Sequence, residues 1–130
     1  MSIRDTILAI DDSTTELVDV PEWGVKVAVK SLTLAEQQQF MQSVRQRTGQ
    51  PQAEYRIDRD KFGPQLLIRT CHDPETDAPV FEAADAQRIS QLSAKAVQRV
   101  LTVATRLAGL GGDEQVDEVM GNLKEMADDE

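Results

Sequence analysis

The segment from residue 16 to residue 30 constrains the fold most, because apolar and polar residues alternate along it with the period of a β-strand. The alternation is strict in its second half, where the valines that share one face are Val25, Val27 and Val29. Between the two halves, residues 21–24 read Pro-Glu-Trp-Gly, in which proline presets φ and glycine accepts a positive φ. These features predict a β-hairpin, which is marginal alone in water and must therefore pack on helices.

Most of the remaining chain has helical features. We expect helices over residues 2–10, 34–47, 58–71, 82–92, 93–108 and 114–127. The second begins with a capping box, Thr33 to Glu36, and the fifth carries a long apolar stripe ended by Gly109. With 130 residues, the chain has the length of one domain. The predicted class is α+β, a mostly helical single domain with an N-terminal β-hairpin packed on helices.

Two interruptions of the helical pattern shape these expectations. Residues 48–51 read Thr-Gly-Gln-Pro and should end the second helix, and residues 52–58 are weakly patterned and indicate a loop. In the third helix, Gly63-Pro64 falls inside the pattern, where proline removes a backbone hydrogen bond and clashes with the preceding turn. Either the helix kinks there or it begins at Pro64, and the residues alone leave both open.

The negative charge is concentrated at the C-terminal end. Residues 113–130 contain eight acids and one base, Lys124, and so hold seven of the nine net negative charges. This pattern disfavours direct binding of nucleic acid, which requires clustered cations. After a Gly111-Gly112 hinge, we expect residues 111–130 to form an acidic amphipathic helix or tail, separate from a domain over residues 1–110.

The sequence offers no organised chemistry. Cys71-His72-Asp73 contains the residue types of a thiol active site, but neighbours in a chain point apart, whereas catalytic groups converge from separated positions. One cysteine and one histidine cannot form a structural zinc site, and the acidic turn at 73–77 lacks the glycine and distal glutamate of a calcium loop. We therefore expect no enzyme activity, no metal and no cofactor.

No secretory signal peptide and no apolar run long enough to cross a membrane are visible. We expect a soluble protein of the cytoplasm with no membrane association.

Two apolar features are candidates for binding a partner. Trp23, at the hairpin turn, either folds back onto the core or stays exposed as a recognition anchor. A stripe on the last helix either packs on its own domain or forms a detachable face for a partner groove. The stripe consists of Val116, Val119, Met120 and Leu123.

The order of these features resembles that of the tail assembly chaperones of long-tailed phages and prophages. The resemblance runs from a short N-terminal helix into Val18-Asp19-Val20-Pro21-Glu22-Trp23-Gly24 and the valine-rich strand, and on to Ser31-Leu32-Thr33-Leu34-Ala35-Glu36. It continues through Leu66–Cys71, the acidic turn and Val80-Phe81, and ends with the helix closing on Arg106–Leu110. It covers about residues 6–110.

The resemblance implies a non-enzymatic role in the host cell cytoplasm. Such chaperones coat the long helical tape measure protein and keep it soluble before the tail tube polymerises around it. It also implies self-association as a homo-oligomer, and in many relatives a frameshifted extension that recruits the tail tube protein. A competing interpretation, from charge alone, is an acidic adaptor or inhibitor whose carboxylates bind a basic, nucleic-acid-binding partner.

Overall fold

The computed structural model describes residues 2–47 and 55–128, which form one α+β domain. Its α-helices are α1 (Ile3–Ala9), α2 (Leu34–Val44), α3 (Arg59–Thr70), α4 (Ala86–Ile89), α5 (Ala94–Leu107) and α6 (Glu114–Asp128). Its strands are β1 (Thr15–Val20), β2 (Val25–Lys30), β3 (Arg45–Arg47), β4 (Tyr55–Ile57) and β5 (Cys71–His72). A single 3₁₀ turn, Ala83–Asp85, precedes α4. The predicted fold class is confirmed.

The predicted hairpin is present as β1 and β2. The strands are antiparallel, with Val18 opposite Val27 and Val20 opposite Val25. Val20, Val27 and Val29 are buried against the helices, whereas Val25, next to the turn, is 51% exposed. The turn has Gly24 at φ +68°, as the sequence required, and the N–H of Trp23 donates to the carbonyl of Val20 at 3.0 Å. Helix α5 lies against both strands, which supplies the helical support that an isolated hairpin lacks.

Three short strands were not predicted. The second helix was expected to reach Arg47 but ends at Val44, because Arg45–Arg47 pairs with Tyr55–Ile57 as β3 and β4. The third helix was expected to include Cys71, but Cys71–His72 adds a strand to β2, with Cys71 opposite Val29. Such two- and three-residue strands are defined by their partners and not by a local pattern. The predicted stop at 48–51 and most of the predicted loop at 52–58 lie outside the described residues.

Side-chain hydrogen bonds cap the starts of two helices, and the capping box predicted for Thr33 and Glu36 is present at α2. The N–H of Glu36 donates to Oγ1 of Thr33 at 3.1 Å, and the N–H of Thr33 donates to Oε1 of Glu36 at 3.0 Å. At α1, the N–H of Asp5 donates to Oγ of Ser2 at 3.1 Å. The segment at 82–92 is less regular than expected, because only the 3₁₀ turn and the four residues of α4 are helical.

Helix α3 runs through Gly63-Pro64 without ending, so it does not begin at Pro64. Both residues are buried against α5. A Cβ atom on Gly63 would lie 3.4 Å from Cδ1 of Leu101 and 4.0 Å from Cγ1 of Val97. The glycine therefore allows α3 and α5 to approach closely, and this packing holds a helix that proline alone would weaken.

One continuous core joins these elements. Phe40 of α2 and Phe62 of α3 meet edge to face, with ring centroids 5.5 Å apart. Helix α5 contributes its predicted stripe, and α6 packs on α5 with Val116 and Val119 in the same buried cluster. The boundary between residues 110 and 111 stays a prediction.

We predict that Leu101→Ala lowers the free energy of unfolding by about 3 kcal/mol, because Leu101 is fully buried beside Gly63 and a cavity would remain. Urea denaturation followed by circular dichroism measures the change. The matched control is Leu34→Ala, at a leucine that is 71% exposed, which should stay within about 0.5 kcal/mol of the unsubstituted chain. Equal losses in the two variants would contradict the described packing of α3 on α5.

Candidate functional site

An apolar groove opens between α3, α4, α5 and α6. Its volume is about 490 Å³, which is in the range of sites that accept ligand or peptide side chains. Its apolar lining consists of Gly63, Pro64, Ile89, Leu92, Ala94, Val97, Val119 and Leu123. Arg59, Asp60, Ser90 and Asn122 supply polar groups around them. The groove can therefore take an apolar side of a partner and has polar groups at its margin.

Four separate elements build this groove. The first turns of α3 contribute Pro64, and the break between α4 and α5 exposes Leu92, which is 37% accessible. Helix α5 contributes Val97, and α6 closes the remaining side with Val119 and Leu123. Each residue type is dictated locally by the amphipathic pattern of its helix, whereas the groove itself exists only because the helices pack together.

Most of the apolar stripe of α6 packs on the rest of its own domain. Val116 and Val119 are buried, Met120 and Leu123 are half-buried, and Oγ1 of Thr105 donates to Sδ of Met120 at 3.6 Å. Of the four residues predicted to bind a partner on this helix, Val119 and Leu123 line the groove. Packing on the same domain, one of the two interpretations of the stripe, is the arrangement in the structure.

The start of α6 is fixed by its connection to α5. Gly109 and Gly112 adopt φ of +74° and +92°, and the N–H of Leu110 donates to the carbonyl of Thr105 at 3.1 Å. Oδ1 of Asp113 then accepts from the N–H of Gln115 at 2.9 Å. The predicted Gly111-Gly112 connection therefore turns the chain sharply and returns α6 to α5.

Trp23 lies elsewhere, at the hairpin turn. Its half-buried ring meets Phe81 edge to face, with centroids 6.4 Å apart and planes at 81°. Its neighbour Glu22 accepts from Nε of Arg99 on α5 at 2.9 Å, which holds the turn against the helix. A hydrogen bond from the backbone N–H of Glu22 lowers the pKa of its carboxyl most, and the bond from Arg99 lowers it further. Trp23 packs on the domain with part of its ring accessible, and it does not line the groove.

Sequence reasoning missed the groove residues outside α6. In the sequence, Ile89, Leu92 and Val97 match the apolar pattern expected of core residues. Pro64 indicated an interruption of the third helix and gave no indication of a binding surface. The available signal was the break between α4 and α5, because a short helix that ends beside a longer one leaves apolar side chains uncovered. That signal alone does not identify which elements form the opposite wall.

The acidic surface borders this region on α6. Glu114, Asp117, Glu118 and Glu125 are exposed along the helix. Acids in the first turn also interact favourably with the positive end of the helix dipole. The helix therefore presents an apolar side to the domain and a negatively charged side to solvent.

Cys71 and His72 do not converge. As neighbours on β5 they point to opposite sides of the sheet, with Cys71 buried and Nδ1 of His72 2.9 Å from the carbonyl oxygen of Thr70. Burial raises the pKa of the Cys71 thiol to about 12, so it is protonated at neutral pH. Across residues 2–47 and 55–128, no group of three or more His, Cys, Asp or Glu side chains is placed to hold a metal ion.

Within the same ranges, no helix has both the length and the apolar character needed to cross a membrane.

A family model described as phage tail assembly chaperone matches residues 2–122. The matched range includes the hairpin, the parts of the groove formed by α3, α4 and α5, and the beginning of α6 up to Asn122. The family is non-enzymatic, in agreement with the orientation of Cys71 and His72 toward opposite sides of the sheet. No curated protein and no solved structure matches the chain.

We predict that Cys71 in the folded chain reacts with iodoacetamide at pH 8 at least about 100-fold more slowly than in the urea-unfolded chain. The thiolate is the nucleophile. Because burial in the folded chain raises the pKa of Cys71 to about 12, only a very small fraction of the folded chains carries a thiolate at pH 8. Mass spectrometry of timed samples measures the two rates. Comparable rates would mean that the Cys71 thiol is accessible in the native fold.

Proposed function

Because the chain belongs to the phage tail assembly chaperone family, we propose that it binds the tape measure protein and keeps it soluble before the tail tube polymerises. The observation that carries the proposal is the apolar groove between α3, α4, α5 and α6. The proposed site of action is the cytoplasm of the host cell. Tail tube protein is a second proposed partner, recruited through a frameshifted extension.

The groove suits an amphipathic helix. Such helices bind by laying apolar residues, spaced one turn apart, into an apolar cleft, while their polar side stays in solvent. Leu92 and Leu123 lie on the lining, and Arg59 and Asp60 provide polar groups for the solvated side of the bound helix. A tape measure protein is long and helical, so it offers many segments of this kind.

The charge distribution supports a solubilising role. The exposed acids of α6 lie on the helix that forms one wall of the groove, and the chain carries a net charge of −9. A bound apolar segment would therefore be covered by a surface that repels other copies of the complex. Repeated weak binding along one long partner gains strength from avidity, and a homo-oligomer, which we also propose, would add to it.

The four α6 residues proposed to bind the partner have two different roles in this proposal. Val119 and Leu123 form the groove wall, and Val116 and Met120 hold that wall against α5. We propose Trp23 as a second contact, because its ring is only half-buried at the hairpin turn.

We predict that co-expression with the long helix-rich protein encoded next to this chain makes that protein soluble, and that the two co-purify at high salt. Leu92→Asp and Leu123→Asp should each reduce the recovered complex at least about tenfold, because a carboxylate would be desolvated in the groove. The matched control is Leu34→Asp, at an exposed leucine outside the groove, which should leave recovery unchanged.

An insoluble partner, or equal effects of the three variants, would contradict the groove as the binding site. The acidic adaptor interpretation makes the opposite prediction for salt. Binding through the carboxylates of α6 would be lost as salt rises, because exposed charges are screened, whereas apolar contact persists.

A second prediction concerns Trp23, which is the only tryptophan and hence a fluorescent probe. We expect its emission to change when a tape measure segment is added, and Trp23→Ala to weaken binding about tenfold. Fluorescence titration measures the first effect and calorimetry the second, with circular dichroism to confirm that the variant folds. Unchanged emission together with unchanged affinity would remove Trp23 from the proposed interface.

A further inference from the structure

Strand β1 is paired on one side only. In the described part of the chain the larger sheet has the order β1-β2-β5, so β1 forms an edge. The N–H of Ser31 donates to the carbonyl of Thr14 at 2.8 Å, so the backbone groups of Thr14 point toward β2. In an antiparallel ladder the backbone groups of every second residue point the same way, so those of Glu16, Val18 and Val20 also face β2. The residues whose backbone groups face the open edge are Thr15, Leu17 and Asp19.

The pairing on the other side of β2 gives the same assignment. His72 faces β2 opposite Ala28, because the neighbouring Cys71 uses its carbonyl for the N–H of Val80 at 3.1 Å. Ala28 therefore directs its backbone groups toward β5, and its partner on β1, Leu17, directs its own groups away from β2. An edge of this kind is ready to pair with another strand.

Exposed apolar residues are concentrated at the same end of the chain. Among the described residues nine large hydrophobic side chains are exposed, and five of them precede residue 18. These five are Ile3, Ile7, Leu8, Ile10 and Leu17. Helix α1 has no buried residue, although a helix of seven residues has little stability of its own. The described residues of the chain therefore leave its apolar side chains uncovered.

We propose that two copies of this chain associate by antiparallel pairing of their β1 strands, with Leu17 opposite Leu17 across a two-fold axis. Each pair of residues at the open edge then exchanges both of its backbone hydrogen bonds. The association is isologous and closed, because each copy uses the same edge.

The residues of β1 favour this register. A two-fold axis at Leu17 places Thr15 of one copy opposite Asp19 of the other, so no carboxylate faces a carboxylate. An axis at Asp19 would put two carboxylates opposite each other, which is unfavourable. Within each copy Glu16 forms an ion pair with Arg106, and Asp19 lies opposite Lys26 in the hairpin register.

Helix α1 belongs to the same surface. It leads into the amino end of β1, which in this register lies beside the carboxyl end of the second copy's β1. Its three large exposed apolar residues, Ile3, Ile7 and Leu8, and the following Ile10 are thereby placed to pack on the second copy. A foreign extended segment could also add to the edge, but it would leave α1 uncovered unless it supplied a matching apolar surface. The second copy brings the end of its β1 to that position, where Pro21 and Val25 are exposed.

The dimer specifies the self-association proposed above, and its test uses the full chain without a tape measure protein. Sedimentation equilibrium should give twice the chain mass of 14.4 kDa. Leu17→Lys should raise the dissociation constant at least about tenfold, since two lysines would face each other. The matched control is Val80→Lys, which should leave the dimer intact. Val80 is an exposed valine beside β5, at the edge of the sheet opposite β1.

Charge reversal tests the register itself. Leu17→Glu should also weaken self-association, whereas a mixture of the Leu17→Lys and Leu17→Glu chains should recover the dimer, because opposite charges then face each other. Hydrogen exchange in the unsubstituted dimer should protect the amides of Thr15, Leu17 and Asp19.

Three outcomes would overturn the proposal: a monomeric mass for the unsubstituted chain, an unchanged dimer in Leu17→Lys, or no recovery in the mixture. Protection of these amides only after a tape measure segment is added would instead assign the edge to that partner.

Discussion

The close packing of α3 on α5 is the constraint on which most of the structure depends. The two helices meet where Gly63 faces Leu101, at a distance that leaves a Cβ atom only 3.4 Å of separation. Helices α2 and α4 pack on α3, whereas α6 and the hairpin pack on α5. Moving α3 away from α5 would therefore separate the two halves of the domain. It would also disrupt the groove, because residues of both helices line it.

The same contact explains why an unfavourable helix sequence persists. Pro64 removes a backbone hydrogen bond from α3, and Gly63 lowers the helix propensity further. Both residues are buried, so the packing free energy that their small or rigid side chains permit offsets the loss. Gly63 and Pro64 also lie on the groove lining, where a larger or more flexible pair would fill the space available to a partner.

The hairpin, the capping box and the stripe of α5 could be predicted from the sequence because each is encoded by a local pattern. The strand of Cys71 and the pairing of Arg45 with Ile57 could not, because they exist only through partners distant in the sequence. The groove is less predictable still, since it combines side chains from four elements whose individual patterns all indicate core positions. The apolar stripe of α6 was recognised, whereas its burial depends on the turn at Gly112.

The distribution of apolar surface fits a chaperone that acts in many copies. A groove of this size holds a short stretch of one helix, so a single site gives modest affinity for a partner that is many times longer. In the proposed dimer two copies joined through β1 carry two grooves in one assembly, and the second groove would then bind at the high effective concentration set by the first. Such an arrangement allows each contact to stay weak and reversible, which suits the proposed role, in which the chaperone is displaced when the tail tube forms around the tape measure protein.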